Sequence, residues 1–167
     1  MAITIHSALW FLPFALPFCI WAALSDLKFM KIRNKAVLGL GVVFLVIGLI
    51  ALPFSEYQWR LSHIVVVLII GFALNMAGMI GAGDAKFAAA MAPFVPLEDM
   101  RLYLVLLAAI ILAAFVTHRF FRAFPVLRPG TDDWVSWTSR KFPMGLALGG
   151  SLVFYLALGT TYGMPTP

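Results

Sequence analysis

The chain has 167 residues, of which 63% are hydrophobic and only 11% charged. A soluble domain carries about a quarter charged residues, so a water-soluble globule, a disordered chain and a sizeable soluble catalytic or nucleic-acid-binding domain are all excluded. The net charge of +5 then points to anionic lipid headgroups as its counterpart, with no nucleic-acid partner expected.

Six apolar stretches follow in chain order, within what reads as one membrane-embedded unit over 1–167. The first runs from Ala8 to Leu24, and Pro13 and Pro17 are expected to kink it. Cys19, the single cysteine, lies in this run and reads as packing. The second covers Ala36 to Phe54 and the third His63 to Ile80. The fourth, Ala85 to Leu97, holds Pro93 and Pro96 and is shorter than the roughly 17 to 25 residues a spanning helix needs. The fifth covers Leu102 to Thr117 and the sixth Pro143 to Thr161. Met1 to Trp10 lacks the basic front of a secretory signal peptide, so the first helix is expected to be retained.

Charge sets the orientation. With the N-terminus outside, ten of the twelve Lys and Arg residues fall in inward segments: Lys28 to Lys35, Lys86, and Arg119 to Lys141. Only Arg60 and Arg101 fall outside. Dropping the fourth crossing would move the last basic loop outward, against the positive-inside rule. The expected fold is therefore an all-α integral membrane protein with about six transmembrane helices and both termini outside. The five tryptophans read as interfacial anchors.

Of seven acidic residues, Glu56, Glu98 and Asp99 fall in outward loops and Asp132 and Asp133 in the long inward one. Asp26, at the end of the first helix, and Asp84, after Gly81-Ala82-Gly83, are different. A carboxylate at the membrane edge is costly and is a functional candidate by default. The two are 58 residues apart, yet the six-helix topology puts both at the cytoplasmic face. Two neighbouring carboxylates share a proton, so one can take a proton from water while the other polarises a carbonyl. Two roles stay open for each at this point. Asp84 is a catalytic group or the cap of a helix broken at glycine; Asp26 is a catalytic group or an interfacial carboxylate among cations. Gly81 and Gly83 are expected to supply backbone conformations closed to other residues and room for a substrate strand.

The remaining polar residues read as structural. Asn34 is the expected N-cap of the second helix, and Lys86 either stabilises the ionised pair or snorkels to headgroups, the second being favoured. Asn75 is expected to bond across to a neighbouring helix or to orient the site. His6, His63 and His118 sit at helix ends with no metal-ligand spacing and read as headgroup residues. The spacings Gly78/Ala82 and Gly145/Gly149 suit close helix packing.

Asp26 is followed, after five residues, by Ile32-Arg33-Asn34, and Gly81-Ala82-Gly83-Asp84 by Ala85-Lys86. This pair of segments resembles the type IV prepilin peptidases, a family of intramembrane aspartic proteases, and most closely their short single-domain branch, CpaA or TadV, which serves Flp-type pili. That family pairs Asp-x5-Ile-Pro-Asn with Gly-x-Gly-Asp on a six-helix core; Phe142-Pro143-Met144-Gly145 also resembles the opening of its last helix. The resemblance implies Asp26 and Asp84 as the catalytic pair, Gly81 and Gly83 as the active-site turn, and Asn34 and Lys86 as supporting residues. It implies a prepilin or pilin-like substrate, cut at the cytoplasmic face of a bacterial inner membrane, with no metal and no cofactor. Arg33 stands where the family has Pro, which is expected to loosen the turn. The paired Cys-x-x-Cys insert of the bifunctional members is absent, so methyl transfer is not expected. A small cation- or proton-conducting protein and a non-enzymatic pilus-assembly protein are the competing readings.

Overall fold

The structure is a computed structural model of the chain and describes residues 1–165. It is all-helical, with no strand among the described residues. Six α-helices follow in order: α1 (Ile5–Phe29), α2 (Asn34–Ala51), α3 (Phe54–Met76), α4 (Ala82–Met91), α5 (Met100–Ala123) and α6 (Met144–Tyr162). All but α4 are long and apolar enough to cross a membrane. The protein is an all-α membrane protein of about six helices, as its composition requires.

The fourth crossing is made in pieces. At 1.5 Å per residue, α4 is about 15 Å long, half the apolar thickness of a bilayer. Pro93 and Pro96 stop it, and short 3-10 turns, Ala92–Phe94 and Leu97–Asp99, carry the chain onward. Met91 to Pro96 are all buried in protein, where irregular backbone is tolerated at membrane depth. Its two ends lie at opposite faces. Gly83 lies against Ile32, just beyond the end of α1, whereas the Asp99 carboxylate accepts hydrogen bonds from the amides of Ala2 (2.7 Å) and Ile3 (3.0 Å), before its start.

The even number of crossings brings the basic segments to one face. Lys28 pairs with Asp133 at 3.5 Å, joining the first basic loop to the last. At the opposite face the two ends of the described chain meet, with Ile5 N–H donating to Met164 O and Met164 N–H to Ile3 O, both at 2.9 Å.

Between lipid-facing helices no hydrophobic force favours association, so packing and hydrogen bonds do the work. α6 lies flush on α1 because a β-carbon at Gly149 would sit 2.7 Å from the Cys19 carbonyl oxygen, and one at Gly159 2.9 Å from Ala8 Cβ. Toward the face opposite the basic loops, Phe44 packs against Phe11, Tyr57 and Phe94, with centroids 5.4 to 5.7 Å apart. This cluster ties α1, α2 and α3 to the broken fourth crossing. Cys19 is buried in packing, as expected.

Several expectations are corrected. α3 starts at Phe54, nine residues before His63, because Glu56 and Arg60 pair along one helix face. Arg60 is no loop residue: it is buried and reaches the carbonyls of Pro93 and Phe94. Asp99 is not a solvated loop carboxylate; besides the two amides it binds the Tyr155 hydroxyl at 2.6 Å. His63 and His118 are buried, the second stacked on Trp137 at 4.9 Å. Gly78 does not serve helix packing. It is a left-handed turn residue (φ 72°) with open space around it.

Candidate functional site

Asp26 lies in the last turn of α1, which stops because Met30 takes a left-handed conformation (φ 53°) and returns its N–H to the Asp26 carbonyl. The chain then doubles back, so that Ile32 is buried against the start of α4. A β-carbon at Gly83 would lie 3.6 Å from Ile32 Cβ. The two Asp-bearing segments are therefore in contact, although they lie far apart in sequence.

Asp84 occupies the third position of α4. Its Oδ2 accepts from the Gly81 N–H at 3.2 Å, the reach-back half of a capping box. The turn ahead of Gly81 is closed by Asn75, whose side-chain amide donates to the Ile80 carbonyl at 2.8 Å. Asn75 thus holds this connection, not a neighbouring helix.

Asp26 is held by a backbone group that sequence reasoning passed over. Gly145 N–H donates to Asp26 Oδ2 at 2.7 Å. This amide is free because it belongs to the first turn of α6, where helical N–H groups have no intrahelical partner. A β-carbon at Gly145 would lie 2.8 Å from Asp26 Cβ and 3.1 Å from Oδ2, so the approach requires glycine. The Phe142-Pro143-Met144-Gly145 resemblance was the available signal; the Gly145/Gly149 spacing had accounted for it as packing alone.

Asp26 and Asp84 line one open notch of about 350 Å³. Met30, Gly81, Gly83, Phe142 and Met144 form part of its wall, with Asn34, Lys31, Lys86 and Lys141 around it. All six of the expected site residues meet here. Three of them do so differently from expectation. Asn34 is not a cap: it is the first residue of α2, with Arg33 ahead of it and no side-chain capping bond. Gly81 has an ordinary backbone (φ −72°, ψ 146°); glycine there leaves room for Asp84 Oδ2, which a β-carbon would approach to 2.7 Å and displace. Gly83 likewise sits inside α4 with no left-handed φ. Lys86 is exposed at the rim. Arg33 has φ −73°, the value proline would impose, so the turn keeps its form without it.

The model of the type IV leader peptidase family matches residues 13–118. The chain belongs to that family. No curated protein and no solved structure matches it. The leader peptidase match takes in Asp26, Ile32, Asn34, Gly81, Gly83 and Asp84 and ends before Gly145.

Proposed function

We propose that this leader peptidase is a membrane aspartic endopeptidase of the CpaA/TadV type, and that it removes the basic leader of prepilins or pilin-like proteins at the cytoplasmic face. Asp26 and Asp84 are its catalytic pair. The observation that carries this reading is that both carboxylates line one water-accessible notch, each tied to a backbone amide through a single oxygen. Ten of the twelve basic residues lie in the segments at the notch's face, which supports a cytoplasmic location by the positive-inside rule.

The remaining oxygens hold a water between them and share one proton. The ionised aspartate takes a proton from that water as its oxygen attacks the scissile carbonyl carbon, and the protonated one donates to the carbonyl oxygen. The tetrahedral intermediate collapses when the nitrogen is protonated and the C–N bond breaks, with no covalent enzyme intermediate. The backbone N–H groups of Gly81 and Gly145 position the pair, each holding one carboxylate oxygen.

The test is cleavage of a co-expressed Flp-type prepilin, followed by mobility shift and mass-spectrometric mapping of the cut. Asp26→Asn and Asp84→Asn keep an oxygen for their backbone amides and are expected to abolish cleavage at equal membrane levels. Cleavage surviving either substitution overturns the two-aspartate mechanism. Failure of the unsubstituted protein on a panel of pilin-like substrates favours the assembly-protein reading.

A further inference from the structure

A second cavity, of about 530 Å³, opens beside the notch between α2 and α3. These helices are joined by Leu52 and Pro53 alone, at the face opposite the basic loops. Near that joint they touch, with Tyr57 Oη donating to the Leu45 carbonyl at 3.1 Å. Elsewhere contact between them is sparse, and α4 packs against both. The result is a groove whose sides carry Leu38 and Gly41 from α2 and Ile64 and Leu68 from α3, with Ala89 and Ala90 of α4 as its floor. It runs from Asn34 to Leu45 along α2, three helical turns or about 17 Å.

Two features narrow the occupant. The groove is continuous with the catalytic notch, because Asn34 and Lys86 line both. Its lining is otherwise apolar, and Leu38 is 68% exposed. Whatever fills both spaces has an apolar portion at membrane depth and a polar, extended portion at the carboxylates. Small residues along the apolar part let another helix backbone come close. A lipid tail would fill the groove but would carry no peptide bond to the aspartates.

Resting on the peptidase reading above, we infer that the α2–α3 groove docks the apolar transmembrane helix of the substrate, so that the segment just before that helix is delivered past Asn34 and Lys86 to Asp26 and Asp84. Gly41 offers a clean way to block it. A β-carbon there meets nothing within 4 Å, and replacing a mid-helix glycine does not weaken the helix.

The experiment compares Gly41→Phe with Val105→Phe, an equally bulky change on exposed α5, in membranes carrying the prepilin. Gly41→Phe is expected to lower kcat/KM by about tenfold or more, chiefly through KM, and Val105→Phe to leave it within about twofold. In parallel, with Cys19→Ala as background, a cysteine at Leu38 is expected to form a disulfide with a cysteine in the substrate helix, and one at Val105 is not. Equal cleavage by Gly41→Phe and wild type, or no preference for Leu38 over Val105 in crosslinking, overturns the docking site and leaves the groove to lipid. Crosslinking at Leu38 without any cleavage by wild type supports docking and overturns the peptidase reading.

Discussion

Gly145 and Asp26 approach so closely that one added methyl group separates the possibilities at the residue scale. Gly145→Ala is expected to displace the Asp26 carboxylate and lower cleavage by about tenfold or more, the loss of an interaction that orients reacting groups. Gly150→Ala, whose new β-carbon would meet only Ile110 Cγ2 at 3.5 Å, is expected to retain activity at matched expression. The motif glycines are expected to part company in the same assay. Gly81→Ala collides with Asp84 Oδ2 and lowers kcat, whereas Gly83→Ala makes an ordinary 3.6 Å contact with Ile32 and acts on KM by narrowing the notch. Arg33→Pro fits the observed φ, and the Arg33 N–H makes no backbone hydrogen bond; its gain in chain entropy is about 0.4–1 kcal/mol. The guanidinium lost from above the Phe29 ring at 5.0 Å offsets about 0.5–1 kcal/mol. Thermal stability and cleavage are therefore expected to stay near wild type. Asp26 and Asp84 were legible in the sequence because carboxylates are rare in so apolar a chain. The role of Gly145 was not, because its working part is a backbone N–H, which every residue but proline carries.

At the scale of elements, the fourth crossing depends on a partner from another helix. Where Pro93 ends regular helix, the buried Arg60 reaches the freed carbonyls of Pro93 and Phe94 at 3.5 and 3.3 Å and also binds Glu56. Arg60→Ala leaves those carbonyls unsatisfied and is expected to cost about 1–3 kcal/mol, read as a lower melting temperature in detergent. Arg60→Lys is expected to fall short of full rescue, because an ammonium lacks the forked donors that serve carboxylate and carbonyls together. The six apolar runs were visible from hydropathy, but their ends were displaced where polar residues continue a helix. α3 begins with Glu56 and Arg60, and α5 continues through His118 and Arg122. Side chains that satisfy one another look, in a sequence, the same as side chains in water. Asp99 was read as solvated for that reason, although it holds two amides and the Tyr155 hydroxyl.

For the whole molecule, six crossings imply that cysteines introduced at Arg33 and Asp133 are labelled by an impermeant thiol reagent from one side of the membrane, and one at Glu98 from the other. Labelling of all three from one side would contradict this topology. The shortness of α4 reaches back to how the protein is made. An Asp or Lys at the centre of a nascent membrane helix costs about 2.5–3.5 kcal/mol on insertion scales, and α4 carries Asp84 and Lys86 in only ten residues. Such a segment gains little from entering lipid alone. Its neighbours supply what lipid does not: Gly71 of α3 lies so near Ala85 that a β-carbon there would come within 2.9 Å, and Arg60 waits on the same helix. α4 is therefore expected to enter the bilayer after α3 and against it. The machinery that threads nascent chains into membranes would be expected to hold these two segments as a hairpin, and an isolated α4 fused to a reporter to fail to insert.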